Sequence, residues 1–397
     1  LRYAVRLVKL PAGNLEPGMF IAELDRPWLE TPFAIQGFVV RDSEEILYVS
    51  NYVDHVYVDA EYKGARQSMQ HAAAVMDSAP RGLLALREEF KRTKDSFGSA
   101  CEALSDIFHA LRHEIKIDMR DVQAAIEPLI EGVFRNQEAV AALLRQKESG
   151  EYRYHHGVSM AAWAVIVGRH IGLRKLELQT LAVGCAMCDV GMTQLPSELL
   201  DQAMSLTDTQ RRIIKAHPKM GAELVSKLTH INTETLGIIE NHHERVDGSG
   251  YPCGIKGDNI PLLARIAGLV DTYDAMITAR PYAKARSSHE ATQELLDCSG
   301  RQFEPALIEQ FVKAIGLFPT GTLVELNSGE VALVIAQNST RRLKPELMIV
   351  LDKSKARLET PRVVDLAKQS IAAEGERWVT RELPADSHGI RCEEFFI

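Results

Sequence analysis

HHERVDGSGYP, residues 242–252, is the stretch on which the reading of this chain turns. Two adjacent histidines, two acids and a Gly-x-Gly-Tyr-Pro turn stand in one short run. His242 and His243 can present imidazole nitrogens to a metal. Glu244 and Asp247 are placed to orient those rings, or a bound water, from behind. Gly248 and Gly250 let the backbone turn sharply, and Pro252 stiffens the exit. A helix end with solvated histidines would explain single residues of this run, but not the whole set together.

Outward from that run, residues 149–318 read as successive helices with apolar residues at helical spacing, among them GVSMAAWAVIVGRHIG, KLELQTLAVGCAMC, TETLGIIENHH and LLARIAGLVDTYDAMI. Metal-capable side chains recur through them: Glu151, His156, Asp189, His217, His242, His243 and Asp271. Taken singly, each has a plain alternative. His217 precedes Pro218 and could cap a helix, Asp271 could pair with a basic group, and either of His155 and His156 could be solvated. Taken together, imidazoles and carboxylates on several helices can converge in a bundle core and build a metal centre. Mixed ligation of this kind suits iron, manganese, zinc or nickel and does not choose among them.

The flanks differ in kind. Residues 1–62 read as β-rich, with VRLVKL, MFIAEL, GFVV, ILYV and HVYVD as short strands. Residues 63–148 read as a helical linker region, interrupted at SAPRG and DSFGS. His109 and His113 share a helix face there beside Glu114, but no third ligand accompanies them, so a solvated pair is the better reading. From 319 to 397 the pattern changes to a β extension and tail. TGTLVELNSGEVALVIAQN gives two strands around Asn-Ser-Gly-Glu and ELMIVLD a third, while the last twenty residues give no assignment.

The chain has 397 residues, room for two or three domains, with 46% apolar and 25% charged residues. It has no apolar run of membrane-spanning length and no signal-peptide pattern at its start, so the expected location is the cytoplasm. A net charge of −8 argues against a general nucleic-acid or membrane surface. The six cysteines make no disulfide framework. Cys185-x-x-Cys188 lies in a buried helical pattern rather than a thioredoxin-like unit, and Cys185 reads as a small core residue.

HHERVDGSGYP closely resembles the signature of the HD-GYP family of bacterial phosphodiesterases, and the likeness covers about residues 149–318. It implies a mainly α protein, an HD-type helical bundle with a small β-rich N-terminal domain and a short β extension. It further implies two or three divalent transition-metal ions and hydrolysis of cyclic di-GMP to pGpG or GMP in second-messenger signalling. The matching metal positions are Glu151, His156, Cys188, Asp189, His217, His242, His243 and Asp271, with Asp189, His242 and His243 in catalytic positions. His155 stands beside the motif position, and Asp274 is a weaker candidate near a third metal. ARPYAKARS resembles the family's substrate loop, in which Arg280 and Lys284 would meet the phosphates. Signalling proteins could dock on the Gly-Tyr-Pro region. Leu15, Gly18, Met19, Asp25, Trp28, Pro32 and Phe33 resemble a domain of unknown function that precedes HD-GYP domains in some bacterial proteins.

Two positions depart from the family. Where the family has a pattern like LHDIGK, this chain reads MCDVGM: Cys188 replaces the histidine and Met192 the lysine. A thiolate can still ligate a metal and would favour zinc. A thioether carries no charge and offers no strong hydrogen bond. Three readings stand open on the sequence: a working but impaired cyclic di-GMP phosphodiesterase, an inactive domain that binds cyclic di-GMP or a partner protein, and a hydrolase of another nucleotide.

Overall fold

A computed structural model describes residues 7–25, 38–40, 43–50, 52–59, 83–113, 115–145, 152–196, 199, 207–278, 285–338, 344–368, 377–384 and 387–396. They belong to two compact units, 1–81 and 82–397.

The first unit holds four antiparallel strands, β1 (Leu7–Pro11), β2 (Phe20–Leu24), β3 (Phe38–Val39) and β4 (His55–Asp59), in the order β1-β4-β2-β3. Ile21, Leu24, Val56 and Val58 from the strands meet Leu15, Val49 and Val53 in a small core. ILYV, read from sequence as a strand, lies instead in helix α1 (Ser43–Ser50). The reason is periodicity: Val49 is buried and Ile46, three residues earlier, packs with it, while Leu47 is 67% exposed. Asp25 ties the sheet to its neighbouring loop, accepting hydrogen bonds from the Asp54 and His55 amides at 2.8 and 3.0 Å. Trp28, Pro32 and Phe33 lie outside the described residues.

The second unit is built from helices α2 (Leu83–Arg112), α3 (Met119–Leu144), α4 (Tyr152–His170), α5 (Lys175–Met187), α6 (Asp208–Ile214), α7 (His217–Val225), α8 (Thr233–Asn241), α9 (Leu262–Ile277), α10 (Ser288–Asp297) and α11 (Pro305–Ile315). Helix α4 is the centre. Its residues 156–168 are all buried, so an apolar helix is wrapped on every side by α3, α5, α9 and α11. Trp163 meets Tyr273 edge-on at 5.6 Å, and Tyr273 meets Phe311 at 4.9 Å. Large side chains fully buried this way each contribute about 1.5–3 kcal/mol. No helix among the described residues is long and apolar enough to cross a membrane.

The stretch expected to link the domains contributes α2 and α3 to this same core through Leu104, Phe108, Val122, Ile126 and Ile130. DSFGS does not break α2, which runs unbroken through Gly98. A glycine costs a helix about 1 kcal/mol; burial of Phe90, Ala100 and Leu104 on one continuous face outweighs it.

A five-stranded antiparallel sheet completes the unit: β5 (Leu323–Leu326), β6 (Val331–Ala336), β7 (Glu346–Leu351), β8 (Arg357–Asp365) and β9 (Val379–Glu382), ordered β8-β7-β6-β5-β9. The Asn-Ser-Gly-Glu turn sits between β5 and β6 as its residues require, with Gly329 at φ +81°. Leu333, Met348 and Val350 pack on Phe90 of α2 and on Ala139 and Leu143 of α3, and Phe90 stacks on Phe396 at 5.4 Å.

Candidate metal centre

Five elements bring metal-capable side chains to one end of the α4 core. Helix α4 carries His156, and a 3₁₀ turn over Cys188–Gln194 carries Asp189. His217 opens α7, His242 and His243 follow α8, and Asp271 and Asp274 lie on α9. His217, His242 and His243 form the tight group, with their ligating atoms all within 4.8 Å of one another.

The backbones behind these histidines are pressed close by glycines. A β-carbon at Gly191 would lie 2.0 Å from the His217 carbonyl oxygen, one at Gly268 2.3 Å from that of His242, and one at Gly250 2.5 Å from that of His243. Gly250 of the Gly-Tyr-Pro turn therefore seats His243 as well as shaping the loop. The Tyr251 ring stacks on His243 at 4.6 Å.

Hydrogen bonds fix which nitrogen each ring presents. His217 Nδ1 donates to the Ile214 carbonyl and His242 Nδ1 to the Ile239 carbonyl, both at 2.8 Å, so both rings turn Nε2 inward. Those Nε2 atoms lie 3.3 Å apart. Two lone pairs facing each other repel, and a cation taken by both nitrogens would relieve that repulsion. The Asp189 carboxylate lies 3.4 Å from His217 Nε2. Asp271 stands between two rings, one oxygen 3.0 Å from His156 Nε2 and the other 3.5 Å from His243 Nδ1. The donor set of imidazoles and carboxylates with inward nitrogens fits a divalent transition metal.

The electrostatics of the adjacent histidines agree. Burial, reinforced by the neighbouring His217, lowers the pKa of His242 to about 4. Burial and His242 hold His243 well below its ordinary value. Both rings are therefore neutral near pH 7, as ligation requires. His156 differs: burial disfavours its charge, but its hydrogen bonds to Asp271 and Asp274 prevail and raise it to about 9, so a metal at its Nε2 would have to displace a proton. Burial likewise disfavours the Asp271 carboxylate; the His156 hydrogen bond and the nearby rings outweigh it and hold that carboxyl far below the usual range.

Asp274 takes a part that the sequence reading did not give it. It is fully buried, and its two oxygens meet His156 Nδ1 at 2.7 Å and the indole N–H of Trp163 at 3.2 Å. It orients His156 from behind through Nδ1 while Nε2 turns to Asp271, and a carboxylate behind the ring is a common support for metal-bound histidine. The signal lay in its spacing: Asp271 and Asp274 are three apart on one helix and share a face. Replacing Asp274 with Asn should weaken metal binding about 10–100-fold with the fold intact. Competition against a chelator of known affinity checks this, and unchanged affinity would remove Asp274 from the support of the site.

Other expectations land elsewhere. Cys188 is buried in the apolar core and lies outside the three-histidine group, and burial drives its thiol pKa well above the ordinary value. Glu244 does not reach the rings through its bonded oxygen, which accepts from the Cys253 and Gly254 amides at 2.7 and 3.0 Å and ties the Gly-Tyr-Pro loop. Asp247 caps its own turn at the Ser249 amide. His155 packs edge-on to Phe97 at 5.7 Å, and His109 and His113 are exposed. Glu114, Glu151, Arg280 and Lys284 lie outside the described residues.

Comparison with known proteins accords with this geometry. Residues 136–307 match an HD domain model, 7–122 a domain of unknown function (DUF3391), and 323–372 a KOW domain associated with HD domain. The chain is 30% identical over 396 residues to the cyclic di-GMP phosphodiesterase PA4108 of Pseudomonas aeruginosa, covering 97% of this chain and 94% of that protein. It is 34% identical over 155 residues to the cyclic di-GMP phosphodiesterase response regulator RpfG of Xanthomonas campestris, 39% of this chain and 41% of that protein. A cyclic di-GMP phosphodiesterase of Vibrio cholerae is 27% identical over 256 residues, 62% of this chain and 50% of that protein. An alignment running nearly end to end at that identity, with an HD domain at its centre, places the chain in the HD-GYP family.

Proposed function

We propose that this protein is a metal-dependent phosphodiesterase that opens cyclic di-GMP to pGpG and can release GMP by a second cut. The observation that carries the reading is the convergence of His217, His242 and His243 with inward nitrogens, braced by three glycines. Relatives whose names give that activity support the substrate.

His156, Asp189, His217, His242, His243 and Asp271 would hold two or three divalent ions, with Glu151 and Cys188 as further ligands in the proposal. Such ions supply Lewis acidity toward phosphoryl oxygens and make water a nucleophile near neutral pH. The chain's own contribution is position and charge. Asp271 holds His156 and His243 on opposite sides of one carboxylate. Asp189 and the paired histidines face the reacting phosphate in the proposed pose. Arg280 and Lys284 are assigned to the remaining phosphate charge, Arg by a two-pronged contact and Lys as a point charge.

A second reading keeps a specific basis. Met192 is uncharged where the family resemblance expects a lysine, and Cys188 is a buried thiol where it expects a histidine. A domain so altered could bind cyclic di-GMP, or a signalling protein at the Gly-Tyr-Pro loop, without turning substrate over.

The metal requirement is the test. Dialysis against a chelator should abolish hydrolysis of cyclic di-GMP, and one of iron, manganese, zinc or nickel should restore it. An equal rate in stripped protein would reject metal-dependent catalysis. Tight cyclic di-GMP binding without turnover in any metal form would favour the receptor.

A further inference from the structure

We propose that Lys215 is a substrate-binding residue of this site, its ammonium holding a phosphoryl oxygen of the bound dinucleotide; the assignment of the ligand rests on the cyclic di-GMP reading above.

Lys215 ends α6 two residues before His217, and its side chain is exposed. Its Nζ lies 5.1 Å from the centre of the Tyr251 ring. That same ring stacks on His243 at 4.6 Å and meets the His217 ring edge-on at 6.4 Å. One aromatic side chain thus joins the lysine to two members of the histidine group. The lysine itself is exposed, and a cation over a ring makes no hydrogen bond there, so its three donors stay available to an anion. Lys215 has no carboxylate partner among the described residues.

The neighbouring elements show why this cation matters. Gly191 abuts the His217 backbone so closely that a β-carbon there would collide with the carbonyl oxygen. Met192 follows Gly191, so positions 192 and 215 flank the same histidine turn from two elements. The first offers a thioether and the second an ammonium. Other basic groups nearby are committed. Arg245 donates to the His242 and Glu244 carbonyls and to Thr272, and lies over Phe303. Lys256 lays its carbon stem against Gly248 and its charge acts on Asp247 of the same turn. A polyanion at the histidine group needs positive charge beside it, and Lys215 presents that charge within reach of Tyr251.

The test titrates cyclic di-GMP, and separately inorganic phosphate, into metal-loaded wild type, Lys215→Ala and Lys215→Arg at several salt concentrations, with metal content measured on each sample. Lys215→Ala should weaken cyclic di-GMP binding about tenfold and flatten its salt dependence, the loss of one charge-assisted contact. Lys215→Arg should restore most of the affinity, and all three proteins should carry equal metal. Equal affinity and salt dependence in wild type and Lys215→Ala would overturn the assignment while leaving the cyclic di-GMP reading in place. Metal loss in Lys215→Ala would also overturn it, because the lysine would then act through the ligands. If wild type binds phosphate through Lys215 but not cyclic di-GMP, the lysine site stands and the cyclic di-GMP reading falls. If wild type binds neither, both fall.

Discussion

Replacing both His242 and His243 with alanine should empty the site of metal and lower cyclic di-GMP turnover by at least about a thousandfold, because several kcal/mol of transition-state charge stabilisation goes with the metal. The structure explains why the loss should stay local. His242 is buried but stands just beyond the end of α8, and its ring donates to the Ile239 carbonyl and faces His217. The backbone that carries the pair remains braced by Gly250 and Gly268. The apolar core around Trp163, Tyr273 and Phe311 does not depend on either ring. Elemental analysis, turnover and far-ultraviolet circular dichroism on the same preparation check the claim. A double variant that keeps both its helix content and full metal would show that the histidine group is not the metal site.

Met192→Lys should raise turnover on the order of a hundredfold, the usual worth of one charge-stabilising donor aimed at a reacting group. Asp189 and Met192 lie three apart on a 3₁₀ turn, where such residues share a face. Asp189 faces His217, so a lysine at 192 would rise on the side of the histidine group. Met192 is only half-buried, which leaves room for the change. Cys188→His is a different matter. Cys188 is 1% exposed among core side chains, and an imidazole there must displace packing as well as offer a nitrogen. The lysine change should therefore carry most of the gain in the double variant, and the two effects should not simply add. Rates of wild type, both single variants and the double variant at equal metal occupancy decide this. A folded, metal-loaded Met192→Lys that gains nothing would favour the receptor reading.

The sequence showed the helical bundle and the histidine group because both leave local marks. Helix α4 and its neighbours carry long apolar runs, and HHERVDGSGYP packs a histidine pair and its turn into one stretch. What it hid depends on tertiary placement. Asp274 looks like any acid on a helix until His156 and Trp163 are seen on its two oxygens. Gly191 and Gly268 carry no signal of their own; their role arises from elements that meet across the core. ILYV has the composition of a strand, and only the burial of Val49 against the exposure of Leu47 marks it as helix. Strand β8 was missed because it lies at the sheet edge, largely uncovered and carrying Pro361, so it lacks the apolar alternation of a half-buried strand. Cys188 was read as a ligand from its place in a motif; the burial of its thiol among core side chains carried no mark in the sequence.

Cleavage of cyclic di-GMP by this HD-GYP protein is read from the product of the reaction. Purified wild type, with its metal content established, is incubated with cyclic di-GMP and the nucleotides are separated and identified by mass. The account predicts linear pGpG appearing first, with GMP following if the second bond is cut, at a rate slowed by Met192. Cyclic di-GMP recovered unchanged after prolonged incubation with fully metal-loaded protein would contradict it.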